Sequence, residues 1–135
     1  MDILFITSGW PPEQIGGVEI YARRLAMELS QRHKVRVFYR EADPSRPDYG
    51  PAWRGTWRGM QRHEGDLELT GVHYNYGDFK DFTGTFNIRP MGEIFEKYLE
   101  ESLPDIAHIH HLGRIGHQTV EILAKHGVPV AVSYT

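Results

Sequence analysis

The residues that first suggest chemistry are two adjacent glycines, Gly16 and Gly17, in the stretch PPEQIGGVEIYARRLA. Nine irregular residues, ending in this pair, separate the strand-like segment DILFITS from a helical pattern that starts at Val18. Loops between a strand and a helix usually have about 2 to 6 residues, and longer ones are often functional.

The glycine pair suits an anion, because it lacks Cβ atoms and precedes helix amides that are unpaired and partly positive. A diphosphate is the typical ligand of such a place. A simple turn without a ligand is the equally weighted alternative. A nicotinamide fingerprint is excluded, because SGWPPEQIGG contains no G-x-G-x-x-G turn.

Four histidines form a second group, namely His108, His110, His111 and His117. Imidazole is a common metal ligand, but His108 and His110 share one strand face while His111 points to the other, so we expect no metal. We expect His108 to be hydrogen-bonded within the sheet. His110 and His111 then lie at the end of the strand, where they could bind sugar hydroxyls or move a proton. A polar strand end without a ligand is the alternative.

Arginines and tryptophans supply the remaining candidates. Arg114 is the best placed arginine to meet a phosphate, because Arg23 and Arg24 lie on the outer face of a helix, where charges are usually only solvated. Trp53 and Trp57 could form a platform for an acceptor, a wedge that faces lipid, or simple loop packing.

These residues are positioned by strands that alternate with helices. Apolar runs predict strands near residues 2–8, 35–40, 72–76, 105–110 and 129–134 in the order 3-2-1-4-5, and residues 40–59 read as an excursion over the surface. The alternation predicts one α/β domain over residues 1–135, with a Rossmann-like parallel sheet of about five strands and flanking helices. Such sheets bind ligands at the carboxyl ends of their strands.

Helical periodicity marks three segments. The first places Val18, Ala22 and Leu25 toward the sheet, together with Tyr21, Ala26 and Leu29, and it directs Glu19 outward with Arg23, Arg24 and Glu28. The second follows Pro90, and the third ends at Gly127.

Composition narrows the class of protein. The chain has 135 residues, no cysteine and a net charge of −3, which exclude disulfides, thiolate chemistry and a general attraction to nucleic acid. The first residues lack the pattern of a secretion signal, so we expect the protein in the cytoplasm, either free or peripheral to the membrane.

Residues 3–49 and the stretch PDIAHIHHLGRIGHQTVEILAKHGVPVAVSYT together resemble the amino-terminal domain of family 4 glycosyltransferases of the two-domain GT-B type. The resemblance implies the amino-terminal half of a GT-B fold. It places Gly16 and Gly17 beside the diphosphate of a nucleotide-sugar. It also implies that the long loop borders a cleft shared with a second domain.

The sequence departs from the family pattern in two ways. The carboxyl-terminal domain, which binds most of the nucleotide, is not among these residues. The last strand of the family commonly ends in T-L-H-D, so Thr135 occupies the position of a histidine near the transferred sugar. A threonine hydroxyl is no base near pH 7, and no catalytic residue is therefore assigned.

The resulting expectation is the acceptor-side domain of a retaining glycosyltransferase, inactive by itself. It would act on a nucleotide-diphosphate sugar and on a carbohydrate or lipid-linked acceptor, without a metal or another cofactor. Gly16 and Gly17 would bind the donor diphosphate, and His110, His111 and Arg114 would bind the acceptor.

The alternative is a free-standing, non-catalytic module that binds a phosphorylated small molecule or a protein partner. Because Val130, Val132 and Tyr134 lack a covering helix, we also expect self-association through this flank.

Overall fold

The computed structural model describes residues 1–11, 16–43, 45–57, 65–75 and 88–133, with the side chain of Trp57 left out. Strands and helices follow one another in this order: β1 (Asp2–Thr7), α1 (Gly17–Leu29), β2 (Lys34–Glu41), β3 (Trp53–Trp57), β4 (Leu67–His73), α2 (Arg89–Glu101), β5 (Ile106–Ile109), α3 (Gln118–Lys125) and β6 (Val130–Val132).

The strands form one sheet in the order β3-β4-β2-β1-β5-β6. All neighbours pair in parallel except β3, which is antiparallel to β4. The predicted order of five parallel strands is confirmed, since β4, β2, β1, β5 and β6 correspond to predicted strands 3-2-1-4-5. The described residues thus form the predicted Rossmann-like α/β fold.

Two predictions about the strands were wrong. The supposed surface excursion contains β3, where tryptophan and threonine suit a strand at the edge of the sheet. The third predicted strand, placed at 72–76, is β4 and spans Leu67–His73. The strand runs through Gly71, which lies beside the side chains of Tyr39 and Glu41.

The sheet carries a hydrophobic layer on each face. Phe5, Val37 and Leu69 pack with Ala22 and Ala26 of α1 on one face. The other face buries residues of β1 and β2 against α2 and α3, among them Leu4, Ile6, Phe38, Phe95 and Leu123. The central strand β1 is therefore buried on both sides, as its continuous apolar run predicts.

The first helix differs from its predicted face in two residues. Glu19, expected to point outward, is only 6% exposed, whereas Tyr21, expected to face the sheet, is 53% exposed. No helix in the described residues is long and apolar enough to cross a membrane.

The strand β6 forms the edge of the sheet opposite β3. Its residues Val130 and Val132 are exposed as expected, and Tyr134 lies outside the described residues.

Candidate functional site

The strand order reverses at β1, because β2 pairs on one side of it and β5 on the other. Ligands of open parallel sheets bind beyond the carboxyl ends of the strands at such a switch point. Ser8 follows β1 there, and His110 follows β5. A cavity of about 280 Å³ at this place is lined by Ser8, His111, Gly113 and Arg114.

Gly16 and Gly17 mark the start of α1, as predicted. Gly16 is the N-cap residue with an extended backbone, no side chain caps the helix, and Gly17 is its first residue. A Cβ atom on Gly17 would meet no atom of the described residues within 4 Å. Packing within the described residues therefore does not require glycine at this position, and its bare backbone is exposed. The role of the pair in binding a diphosphate stays a prediction.

The carboxylate of Glu19 lies against this helix start. Its Oε2 atom is 2.6 Å from the point that a Cβ atom on Gly16 would occupy. A negative charge in the first turn is stabilised by the helix dipole. An anion that binds at Gly17 must therefore share the amino terminus of α1 with one buried carboxylate.

His108 and His110 lie side by side on the face of the sheet that α1 covers. Their rings stack with centroids 4.0 Å apart, and the ring of Tyr21 in α1 lies 5.9 Å from that of His110. The Nε2 atom of His108 is 2.8 Å from the hydroxyl of Ser133, which confirms the expected hydrogen bond. Tyr21 follows Gly17 by about one helical turn, so the start of α1 lies close to the end of β5.

His110 is a neutral imidazole near pH 7. Burial and, to a smaller extent, the charge of the neighbouring His108 together lower the pKa of His110 to about 4. Both ring nitrogens are buried and have no hydrogen-bond partner among the described residues. One nitrogen of a neutral ring is a donor and the other an acceptor, so a hydroxyl could satisfy either of them.

His111 is exposed, in contrast to the buried His110 before it. Its Nδ1 atom accepts a hydrogen bond from the amide of Gly113 at 2.9 Å. The proton of the neutral ring is therefore on Nε2, which makes that atom a donor. His111 and His110 follow β5 together, but they do not form one cluster with His108 and His117 that could hold a metal ion.

Arg114 has an unusual backbone conformation, with φ of 61°. This left-handed region is rare for residues other than glycine, and such strain is often found at functional sites. Arg114 also lines the cavity at the switch point.

Arg40 is a candidate that the sequence analysis missed. It is 5% exposed at the end of β2, and its Nε atom donates to the carbonyl of Tyr74 at 2.7 Å. Burial lowers the pKa of Arg40, and the charge of Arg114 lowers it further, so the two cations are near enough to repel each other. An arginine within the buried run VRVFYRE was the available signal, since arginine is rarely buried without a partner.

The other predicted positions lie elsewhere. Trp53 is on β3, far from the switch point in strand order, and Arg23 and Arg24 remain on α1. Thr135 lies outside the described residues. The one group of three potential metal ligands in the described part is Glu96, Glu100 and His126, but Lys125 already pairs with Glu96 at 2.7 Å.

Comparison with known proteins places this arrangement in a family. The sequence model described as Glycosyltransferase Family 4 matches residues 15–134. Comparisons with curated proteins and with solved structures give no match. The matched range covers both the start of α1 and the residues after β5, which carry the predicted site. The chain therefore belongs to glycosyltransferase family 4.

Proposed function

We propose that this domain forms the acceptor side of a retaining glycosyltransferase, which transfers a sugar from a nucleotide-diphosphate donor to an acceptor hydroxyl. The observation that carries the proposal is the exposed glycine backbone at the start of α1, next to the polar residues at the switch point. Family membership supports the reaction class.

The donor diphosphate would bind at Gly16 and Gly17. Helix amides at this position donate to phosphate oxygens, and the absence of a Cβ atom at Gly17 lets the phosphate approach. As the sugar leaves, negative charge grows on the diphosphate, and fixed amides stabilise that charge without reorganising. The buried Glu19 carboxylate directs the anion toward the Gly17 side of the helix start.

The acceptor would bind to His110, His111 and Arg114. A neutral His110 can exchange a hydrogen bond with a hydroxyl, and Nε2 of His111 can donate one. His110 is poorly suited to be a general base, because a group with a pKa of about 4 binds a proton only weakly near pH 7. These histidines therefore position the acceptor, which is a carbohydrate or a lipid-linked sugar.

A second, nucleotide-binding domain would complete the site. We expect residues 1–135 by themselves to bind ligands in the cytoplasm, free or at a membrane surface, and to transfer no sugar. We propose no metal ion or other cofactor for the domain.

A non-catalytic module is the second candidate. The proximity of Arg40 and Arg114 favours this candidate, because a phosphate bound between the two guanidinium groups would cancel their repulsion. A protein that binds a phosphorylated small molecule without any transfer would have this property.

The proposal is tested by calorimetric titration with UDP, GDP and ADP. The substitution Gly17→Val should weaken nucleoside diphosphate binding roughly 10- to 100-fold, since hydrogen bonds to charged groups contribute about 1.5–3 kcal/mol. The fold should remain intact, because a Cβ atom at Gly17 meets nothing in the described residues. Gly50→Ala is the control, with ordinary contacts to Pro47. Equal affinity of Gly17→Val and the unsubstituted protein contradicts the role of the glycine backbone.

A further inference from the structure

A second cavity of about 430 Å³ opens at the carboxyl ends of β2 and β4, and the proposed function leaves it unused. We call it the β2–β4 pocket and define it by Trp10, Tyr39, Glu41, Arg46, Trp53 and His73. Its volume is within the range of small-molecule sites, which combine aromatic walls with a few polar groups. It lies on the same edge of the sheet as the switch point, on the other side of β1.

Two glycines make room for the walls of this pocket. A Cβ atom on Gly71 would lie 2.9 Å from the ring of Tyr39 and 3.0 Å from the carboxyl carbon of Glu41. A Cβ atom on Gly55 would lie 2.5 Å from the ring of Trp53. Any larger residue at either position would displace a wall, so both glycines hold open the shape of the pocket.

The polar end of the pocket is oriented from several sides. The hydroxyl of Tyr39 donates to Oε1 of Glu41 at 2.8 Å. The other carboxylate oxygen, Oε2, lies 3.6 Å from Nε2 of His73, too far for a strong hydrogen bond. Glu41 therefore keeps acceptor capacity for a bound hydroxyl, because a carboxylate accepts about four hydrogen bonds.

His73 contributes a polar atom that lacks a partner. The ring is 3% exposed, and NH1 of Arg46 lies 3.0 Å from its Nε2. Because a guanidinium only donates, Nε2 accepts and the proton of the neutral ring is on Nδ1. That Nδ1 atom is buried and has no hydrogen-bond partner among the described residues. Buried donors are nearly always satisfied, so a bound hydroxyl or a water molecule is needed to meet this one.

Asn75 holds the segment that carries Arg46. Its side-chain amide donates to the carbonyls of Asp43 and Arg46 at 2.8 and 3.1 Å. Its backbone amide donates to the carboxylate of Asp48 at 2.6 Å. The polar end of the pocket is thus organised before a ligand binds, which lowers the entropic cost of binding.

The charges of the pocket oppose a phosphorylated ligand. The pocket is lined by two carboxylates, those of Glu41 and Asp43, and by one guanidinium, that of Arg46. The guanidinium of Arg46 already pairs with the carboxylate of Asp43 at 3.3 Å. An uncharged ligand that presents hydroxyls to carboxylate oxygens and an apolar face to indole or phenol rings fits this wall. A sugar ring has both features.

We propose that the β2–β4 pocket binds one uncharged sugar ring of the acceptor, with its hydroxyls on Glu41 and His73 and its apolar face on Trp53. This inference rests on the proposed function and specifies its acceptor as a saccharide with a second binding subsite, away from His110. The ribose of a nucleoside offers the same diol, so the test includes both sources.

The test is an NMR titration of the protein with methyl glycosides of glucose, mannose, galactose and N-acetylglucosamine. In parallel it uses uridine, guanosine and adenosine as probes for ribose, and glucose 1-phosphate as a probe for charge. We expect at least one glycoside to shift the amide signals of Glu41 and His73. Glu41→Gln and Trp53→Ala should each weaken its binding roughly tenfold or more, since charge-assisted hydrogen bonds and aromatic contacts contribute energies of that order.

Glu121→Gln is the matched control, because Glu121 is exposed on α3. This helix connects β5 and β6, which lie on the other side of β1 from the pocket. The substitution should leave glycoside binding unchanged. The ¹⁵N signals of His73 should also report a proton on Nδ1, and this proton should shift when the glycoside binds.

Three results would overturn the inference: no glycoside binds, nucleosides bind in place of glycosides, or glucose 1-phosphate binds more tightly than methyl glucoside. The inference fails separately from the proposed function. Gly17→Val should weaken diphosphate binding and leave glycoside binding intact, whereas Glu41→Gln should weaken glycoside binding and leave diphosphate binding intact.

Discussion

Arg36 and Arg40 lie on the same strand, β2, and are each 5% exposed, yet their surroundings are opposite. At the amino end, Nε of Arg36 donates to Asp2 at 3.0 Å and NH2 donates to the carbonyl of Ser102 at 3.0 Å. At the carboxyl end, Arg40 donates to the carbonyl of Tyr74 and is near the charge of Arg114. Arg36 contacts a carboxylate directly, whereas the charge of Arg114 acts on Arg40 more strongly than the opposing charge of Asp48.

The same contrast extends over both ends of the sheet. The amino end has the larger groove, about 550 Å³, but Arg54 there pairs with Glu101 at 2.8 Å and Arg36 with Asp2. Among the described residues, buried imidazole nitrogens without partners belong to His73 and His110 at the carboxyl end and to His33 at the amino end. We infer that the paired charges at the amino end stabilise the fold and that the polar groups at the carboxyl end bind ligand.

The largest expected effect is a loss of stability at the amino end. Arg36→Met leaves the carboxylate of Asp2 without its buried partner, and breaking such a pair costs about 3 kcal/mol. The free energy of unfolding from urea titration should fall by about that amount, while nucleoside diphosphate binding stays unchanged. A loss of binding in the folded variant would contradict the division between the two ends.

The second effect is a pH dependence that comes from the carboxyl end. The pKa of His110 is about 4 in the folded protein and ordinarily about 6.5, so the unfolded chain takes up the proton first as pH falls. Stability should therefore be unaffected above pH 6.5 and fall between pH 6.5 and 4, by about 2–3 kcal/mol, since one pKa unit corresponds to about 1.4 kcal/mol.

The matched pair for this measurement is His110→Gln and His117→Gln, since His117 is exposed. Urea titrations at a series of pH values should show a flatter curve for His110→Gln and an unchanged curve for His117→Gln. An unchanged curve for His110→Gln would show that its imidazole is not held neutral by the fold.

The smallest expected effect on stability belongs to Arg40. Arg40→Met removes a hydrogen bond from a charged group to Tyr74, which costs about 1.5 kcal/mol, and it also removes the repulsion from Arg114, which offsets part of that cost. Unfolding titrations should show a loss well below that of Arg36→Met. Arg40→Met should weaken the binding of inorganic phosphate, whereas Arg36→Met should leave it unchanged. If the two substitutions destabilise the protein equally, the contrast between the two arginines is wrong.

Much of the fold could be predicted from local patterns. The apolar run of β1 and the alternation of strands with helices define the five parallel strands and their order, and the glycine pair indicates where α1 starts. The antiparallel strand β3 was not predicted, because its residues show no alternation of apolar and polar side chains. Only pairing with β4 makes this segment a strand. Glu19 was misplaced, because periodicity ignores the attraction of a first-turn carboxylate to the helix start.

The candidate site could be predicted only in part. His110, His111 and Arg114 follow one strand, so a single segment reveals them. The β2–β4 pocket joins Trp10, Glu41, Trp53 and His73 from four separate segments, and only the pairing of the strands brings them together. Arg40 was missed for the same reason, since its neighbour Arg114 is distant in sequence. The expected self-association through Val130 and Val132 stays a prediction.

We infer that ligands bind at the carboxyl end of the sheet and not at its amino end. Backbone amide NMR signals during a titration with UDP, GDP or ADP test it most directly. We predict shifts at Gly16, Gly17 and Arg114, with no change at Arg36, Arg54 or Glu101. Shifts confined to the groove at Arg36 and Arg54, or none at Gly17 under saturating nucleotide, would contradict the account.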